Sequence, residues 1–262
     1  MCLVGFRDIT NQTQFRNGSG EFSAKEFSDE IVKIYESKVR PDAVKTKKSF
    51  APSGVGYGSG TCPRYWFLAF SGVEFIENTD SLGIANMENG TYVHTRLQTM
   101  LKESDLEVEL ETAIKNEYPP ILGFADIVVK WKGMDVIGEI KSAKDSVYAI
   151  RSVTRQGLPY HVLQLLIYMK VLGLTEGFLW YENKDTQEFC IIPVHMNERN
   201  QKIVDEAFKW MEMVYDNWKD GKLPERPFTK SSKECKFCPV KKACWTAYDI
   251  GEVQIPALVV KK

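Results

Sequence analysis

Asp126, Glu139 and Lys141, near the middle of the chain, have the types and spacing that metal-assisted hydrolysis of a phosphate ester requires. Apolar neighbours predict that both carboxylates are buried, and a buried carboxylate needs a counter-charge such as a divalent cation. Oxygen ligands favour Mg²⁺ or Mn²⁺. Glu139 and Lys141 share one strand face, so the lysine can stabilise charge on the same phosphate or help deprotonate a metal-bound water. Taken alone, this short pattern also arises by chance at ordinary strand ends.

A second group of possible metal ligands consists of cysteines. Three lie close together, in Cys235-Lys236-Phe237-Cys238 and at Cys244, and Cys62 lies far upstream. Four thiolates suit either zinc or a [4Fe–4S] cluster, and the spacing does not separate the two. Either site would join an N-terminal segment to a C-terminal one. The two other cysteines, Cys2 and Cys190, are expected to be bystanders.

The elements that position the acidic group are predicted to be two strands. Ile121–Trp131 and Met134–Ile140 are apolar and are separated by the short turn Lys132-Gly133, which is typical of a hairpin. Paired strands lie close enough to bring Asp126 and Glu139 to one point.

Helices and further strands are predicted on either side of this hairpin. Apolar residues at helical or alternating spacing indicate an order of helix, strands, helix, strands and helix, and therefore an α/β sandwich. The predicted helices are residues 24–39, 62–75, Glu88–Leu101, Leu158–Leu172 and Arg199–Lys219, and the further strands are Val108–Ile114, Gly177–Tyr181 and Glu188–Val194.

Composition limits the class of protein. The 262 residues include 44% hydrophobic ones, and no window approaches the apolar length of a membrane helix. The first residues lack the apolar stretch of a signal peptide, so a cytoplasmic protein with reduced cysteines is expected, with no membrane partner. A net charge of −1 gives no overall attraction to nucleic acid, although a local basic groove remains compatible with it.

The pattern of Asp126, Glu139 and Lys141 resembles the signature of the PD-(D/E)XK nuclease superfamily. Within it, the chain resembles the RecB-like branch, because Asn89-Gly90-Thr91-Tyr92-Val93-His94 is similar to an upstream helix motif and Gln164 with Tyr168 is similar to a Gln-xxx-Tyr motif. The cysteine pattern is similar to the cluster-bearing members, such as the CRISPR-associated RecB-like exonucleases and the AddB-type nucleases. Ala125 replaces the signature proline at a position without chemistry.

This resemblance implies an α/β PD-(D/E)XK core, a central mixed sheet flanked by helices, with an N- to C-terminal cysteine clasp. It implies one nuclease domain over residues 50–262, after an N-terminal helical segment, residues 1–49, of unclear role. The implied Mg²⁺ or Mn²⁺ ligands are His94, Asp126, Glu139 and the Ile140 carbonyl, and the implied DNA-binding residues are Gln164, Tyr168 and His161. The implied ligands of a [4Fe–4S] cluster, with structural zinc as the alternative, are Cys62, Cys235, Cys238 and Cys244.

The function implied by the resemblance is cleavage of DNA. We expect an exonuclease that acts on single-stranded DNA ends by two-metal phosphodiester hydrolysis, in repair, recombination, replication or CRISPR-type processing. The alternatives are a structure-specific endonuclease and a non-catalytic subunit that binds DNA ends or partners in a larger nuclease or helicase complex. The presence of all three signature residues argues against the non-catalytic alternative.

Overall fold

The computed structural model describes residues 22–37, 46–76, 80–246 and 251–260. The chain divides into two compact units, one formed by Met1–Pro41 with Thr79–Glu88 and the other by Asp42–Asn78 with Asn89–Lys262. The described part of the smaller unit contains helix α1 (Ala24–Ser37) and the beginning of a later helix. The predicted boundary between residues 49 and 50 stays a prediction.

The larger unit is built on a five-stranded mixed sheet, which confirms the predicted α/β class. Its strands follow chain order, and all neighbours are antiparallel except the third and fourth, which are parallel. The strands are β1 (Val108–Asn116), β2 (Ile121–Trp131), β3 (Met134–Ala143), β4 (Glu176–Asn183) and β5 (Phe189–His195).

Helices pack on this sheet. Helix α2 (Pro63–Phe70) is buried along its whole length, whereas α3 (Ser81–Lys102) begins in the smaller unit and continues into the larger one. The remaining helices are α4 (Asp145–Thr154), α5 (Pro159–Leu172), α6 (Glu198–Lys219), α7 (Lys233–Lys236) and α8 (Lys241–Thr246). In the described part of the chain, no helix has the length and apolar character needed to cross a membrane.

The central hairpin is the element that the sequence predicted best. β2 has the predicted bounds, and β3 continues three residues further than predicted. Lys132 and Gly133 both have positive φ, 50° and 83°, which is the backbone of a tight two-residue hairpin turn. The turn fixes a register in which Trp131 pairs with Met134 and Ile127 pairs with Gly138.

Two apolar clusters hold the sheet between helices. The larger one joins α5 and α6 to one face, with Ile137 and Leu179 at its centre. The smaller one packs Val93 and Leu97 of α3 against the other face, at Ile127 and Ile140. Alternating strand residues therefore face different helices, which places α3 and α5 near opposite sides of the β2–β3 hairpin.

Candidate metal-dependent nuclease site

The site is centred where the hydrogen-bonded pairing of β2 with β3 is interrupted. The β2–β3 ladder ends at the pair Ile127 and Gly138, and beyond it the Ile140 amide N–H donates to the Asp126 carboxylate oxygen Oδ2 at 2.7 Å. A side chain thus accepts the hydrogen bond that a ladder carbonyl would otherwise accept. This bond fixes Asp126, of which 7% is exposed, beside the strand that carries Glu139.

On its other side β2 pairs with β1, and this pairing is also interrupted at Asp126. Leu110 pairs with Ile127 and Thr112 pairs with Ala125, so Glu111 is left without a partner in the register opposite Asp126. Its φ of 53° lies in the left-handed region, which is uncommon for glutamate. The register is the same on both sides of this gap, so the pairing is interrupted without an extra residue in either strand. Sequence reasoning missed Glu111, because an interruption of this kind is a property of strand pairing rather than of residue type.

Glu139 is the most perturbed acidic group of the site. Only 3% of the residue is exposed, and this burial raises the pKa of Glu139 to about 7, although nearby Lys141 opposes the shift. Its Oε1 accepts hydrogen bonds from Lys141 Nζ at 2.7 Å and from Gln164 Nε2 at 2.5 Å. Its Oε2 is buried without a hydrogen-bond partner among the described residues. Such an oxygen carries a large desolvation penalty unless a cation or a proton reaches it.

Helix α3 supplies the polar groups on the other side of Asp126. His94 Nδ1 lies 3.3 Å from Asp126 Oδ1, and the predicted role of His94 as a metal ligand stays a prediction. Burial lowers the pKa of His94, but the hydrogen bond and charge of Asp126 outweigh it, so the net pKa is raised. Gln98, one turn further, donates to the Asp126 carbonyl at 3.0 Å and to Glu111 at 2.6 Å. The i, i+4 spacing from His94 could have identified Gln98 in the sequence.

Helix α5 covers the site from the opposite side. Gln164 is 4% exposed, and its amide oxygen accepts from Lys141 Nζ at 3.1 Å while its nitrogen also donates to the Tyr168 hydroxyl at 3.1 Å. Tyr168 is buried against Gly123, where an added Cβ would lie 3.2 Å from the ring. Gln164 therefore binds Glu139 directly and Tyr168 binds Gln164, while the predicted contact of both with DNA stays a prediction.

His161, the third predicted DNA-binding residue, is hydrogen-bonded to a side chain of the sheet. Its Nδ1 lies 2.7 Å from the hydroxyl of Tyr181 on β4, which also accepts the Leu158 backbone N–H at 3.0 Å. Because that hydroxyl accepts from Leu158, its proton is available for the imidazole. Burial, assisted by Lys141 and Arg151, lowers the pKa of His161 to about 3, so the ring is neutral at physiological pH.

The carboxylates fit a divalent cation by their chemistry. Within residues 22–37, 46–76, 80–246 and 251–260, no group of three or more His, Cys, Asp or Glu side chains could hold a metal ion as it stands. The carboxylate oxygens instead bind His94, Lys141, Gln164 and a backbone amide, with which a cation would compete. The buried Oε2 of Glu139 nevertheless faces no protein partner among the described atoms, and hard oxygen donors suit Mg²⁺ or Mn²⁺.

The four predicted cluster cysteines lie in one region. Cys62 caps the start of α2, and its thiol interacts electrostatically with those of Cys238 and Cys244, while Cys238 interacts also with Cys235. Burial raises the pKa of Cys62 to about 12 and that of Cys238 to about 11. Thiolates here would need compensating positive charge. Among the described residues these thiols do not form a group that could hold a metal ion as it stands, and Cys190 lies apart in β5.

Backbone hydrogen bonds link the two segments that carry these cysteines. The Ile76 N–H donates to the Pro239 carbonyl, and the Leu258 N–H donates to the Thr61 carbonyl, both at 2.9 Å. Arg64, which follows Cys62 closely and is 1% exposed, interacts with Cys244 and donates to the Pro224 carbonyl at 2.8 Å. A buried guanidinium beside the thiols is a suitable counter-charge for an anionic thiolate site.

Comparisons with known proteins show what the fold of this chain resembles. No curated protein sequence matches the chain. Two crystal structures of LHK-Exo, an alkaline exonuclease from Laribacter hongkongensis, have similar folds. The complex with dAMP is 14% identical, with a TM-score of 0.50 over 66% of this chain and 89% of that one. The other structure is 12% identical, with a TM-score of 0.50 over 66% and 90%.

A family model covers more than half of the chain. Residues 106–245 match the PD-(D/E)XK nuclease superfamily, and this range contains Asp126, Glu139 and Lys141. Nucleases of this superfamily generally use Mg²⁺ or Mn²⁺, in keeping with the oxygen donors described above. The chain belongs to the PD-(D/E)XK nuclease superfamily.

Proposed function

We propose that the chain is a metal-dependent DNA exonuclease that acts on single-stranded ends. The observation that carries the proposal is the buried Glu139 carboxylate, whose Oε2 has no partner among the described residues and whose Oε1 binds Lys141. A structural carboxylate would be fully hydrogen-bonded at this depth. One that is only half satisfied, beside a second buried carboxylate and a lysine, suits a cation-binding role.

The ligands of the catalytic cation would be Asp126, Glu139, His94 and the Ile140 carbonyl. When bound, Mg²⁺ or Mn²⁺ in a two-metal arrangement lowers the pKa of water and offsets negative charge on the phosphate. The Asp126 bond to the Ile140 amide holds the two strands in position for this ligand set. The neighbouring His94 must be neutral to bind a metal, so metal binding displaces its proton.

The remaining polar groups position the substrate and the lysine. Lys141 contacts both Glu139 and Gln164, which hold its ammonium group where charge develops on the attacked phosphate. We assign Gln164 a positioning role through these bonds, in addition to its proposed phosphate contact with Tyr168. Neutral His161 can donate from its Nε2 to a phosphate oxygen, because its Nδ1 is used by Tyr181.

We further propose that Cys62, Cys235, Cys238 and Cys244 ligate one [4Fe–4S] cluster with a structural role. The proposal is supported by the interaction between these thiols and by the buried Arg64 next to them. Metal binding would then contribute directly to folding, because it joins segments distant in sequence. Elemental analysis of anaerobically purified protein tests this proposal, and about one zinc per chain without iron would favour the structural zinc alternative.

A panel of labelled DNA tests the nuclease proposal. Anaerobically purified protein is incubated with end-labelled single-stranded and duplex DNA and with circular single-stranded DNA, in Mn²⁺ or in chelator. We expect progressive loss of the labelled linear strand only with metal, and no cleavage of the circle. Cleavage of the circle would favour the endonuclease alternative, whereas binding without any cleavage would favour the non-catalytic one.

A further inference from the structure

A cleft outside the carboxylate site is lined by several positively charged side chains that have no role in the proposed catalytic site. It has a volume of about 740 Å³ and lies between the α4–α5 connection, β5 and the beginning of α6. Its ionisable lining residues are Arg151, Arg155, Arg199 and His195, and no Asp or Glu lines it in the described part of the chain. Positively and negatively charged residues usually occur together on a protein surface, so a cleft lined by basic residues without acidic ones indicates an anionic ligand.

The charges of the cleft are held in place by the backbone. Arg155 has a φ of 52° and ends α4, with its amide N–H donating to the Arg151 carbonyl at 2.9 Å. The Nε atom of Arg151 is buried and has no hydrogen-bond partner among the described residues. An unpaired buried guanidinium nitrogen is costly, and an anion in the cleft would satisfy it.

The neighbouring groups leave the cleft basic. His195 lies 2.6 Å from Glu176, which does not itself line the cleft, and the arginine side chains are always protonated. The beginning of α6 also lines the cleft at Asn197 and Asn200, and the N-terminus of a long helix favours an anion. Glu198, in the first turn of that helix, does not line the cleft.

Helix α5 connects the cleft to the carboxylate site. Leu158, Val162 and Leu163 line the cleft, and the next residue, Gln164, contacts Glu139 and Lys141. From Leu158 to Gln164 the helix advances about 9 Å, which is roughly the length of three stacked nucleotides. A strand with one phosphate at Lys141 therefore extends far enough to place a phosphate about three nucleotides away at the cleft.

We propose that this cleft binds backbone phosphates of the same DNA strand whose scissile phosphate lies at Asp126 and Glu139. The proposal rests on the proposed nuclease function and adds a second substrate-binding surface to it. Arginine is suited to this task, because its planar guanidinium donates two parallel hydrogen bonds to a phosphate. Contacts of this kind position a strand without reading its bases, so they serve a nuclease that cuts any sequence.

The test replaces the two exposed arginines of the cleft, Arg155 and Arg199, by an uncharged residue of similar length. The double variant Arg155→Gln/Arg199→Gln is compared with the wild type and with Lys209→Gln, which removes an exposed positive charge on α6 outside the cleft. Arg155→Gln alone serves if the double variant does not fold. Binding of a fluorescent 16-nucleotide oligothymidylate is measured in chelator over a series of KCl concentrations, and cleavage of the same strand is measured in Mn²⁺.

We expect the double variant to bind the strand roughly tenfold more weakly than the wild type. The slope of log affinity against log salt should fall by about 1.4, since each phosphate contact to a single strand contributes about 0.7. Loss of cleavage efficiency should appear mainly as a higher KM. Lys209→Gln should match the wild type in affinity and slope.

The experiment distinguishes failure of the proposed DNA-binding cleft from failure of the nuclease proposal. If the wild type cleaves the strand but the double variant binds it with the same affinity and slope, the cleft is not a DNA-binding surface. If the wild type binds the strand with the expected dependence on both arginines but cleaves no DNA, the nuclease proposal fails while the binding surface stands. An equal loss in Lys209→Gln would also overturn the inference, because it would indicate only a general effect of charge.

Discussion

Replacement of Glu139 by glutamine should stabilise the metal-free protein at neutral to alkaline pH while abolishing its response to metal. The carboxyl group is 3% exposed, and burial raises its pKa from the usual 4.5 to about 7. A displacement of this size corresponds to a cost on the order of 3 kcal/mol for holding the carboxylate ionised. Glutamine has nearly the same shape and carries no charge, so the variant avoids this cost.

The sign of the effect follows from proton linkage. Because the folded-state pKa of Glu139 is raised, its protonated form contributes stability that is fully present below about pH 4.5 and is lost as the pH rises through about 7. In chelator, wild type and Glu139→Gln should therefore have similar stability at pH 4.5. At pH 8 the variant should unfold roughly 10 °C higher, since 1 kcal/mol corresponds to about 2–4 °C for a chain of this size.

Metal should reverse the order of the two proteins at pH 8. A cation at one thousand times its Kd stabilises the folded wild type by about 4.1 kcal/mol, which exceeds the cost of about 3 kcal/mol for the ionised carboxylate. In the variant the cation loses a ligand. Thermal unfolding in chelator and in Mn²⁺, at pH 4.5 and 8, measures all four conditions. The control is Glu109→Gln, an exposed position on β1, which should change little. The reasoning is refuted if Glu139→Gln is less stable than the wild type at pH 8 in chelator.

Three further predictions concern neighbouring groups. Lys141→Ala should lower kcat at least roughly a hundredfold, measured by single-turnover cleavage with saturating metal, since it removes a charge that stabilises the transition state; an unchanged kcat would argue against its role. Gln164→Ala should lower cleavage of all DNA sequences about equally, because Gln164 is hydrogen-bonded to Glu139 and Lys141 and its proposed contact is to a phosphate, which carries no base information; a change in sequence preference would contradict this. Cys62→Ser should give a colourless, heat-labile protein, whereas Cys190→Ser should keep the absorbance and activity of the wild type; equal absorbance spectra of the two variants would refute the cluster assignment.

The β2–β3 hairpin and the long helices could be predicted because their signals are local. Alternating apolar residues and a Lys132-Gly133 turn specify one hairpin register, which brings Asp126 and Glu139 together. Helix α3 begins seven residues before its predicted start at Glu88, because polar residues such as Asn86 weaken the apolar periodicity there. Helix α4 was missed altogether, since Tyr148 is its sole buried residue and its apolar face is short.

The details of the site depend on contacts between segments that are distant in the chain, so they could not be predicted from the sequence. The resemblance predicted Gln164 and Tyr168 as DNA-binding residues, which stays a prediction, and it did not predict the hydrogen bonds from Gln164 to Glu139 and Tyr168. Burial of Glu139 depends on the packing of α5 against β3, and the gap in pairing at Glu111 arises only when β1 meets β2. The basic cleft could likewise not be predicted from the sequence, because Arg199 is distant along the chain from Arg151 and Arg155 and meets them only in the fold.

The most direct test of the central claim is cleavage of end-labelled single-stranded DNA by the wild type and by Asp126→Ala, each with Mn²⁺ and with chelator. Asp126 holds the Ile140 amide and lies beside His94, so its loss should remove both a cation ligand and the geometry of the ligand set. We predict cleavage by the wild type with Mn²⁺ alone and none by Asp126→Ala, with both proteins folded by circular dichroism. Cleavage by Asp126→Ala at the wild-type rate, or by the wild type in chelator, would contradict the account.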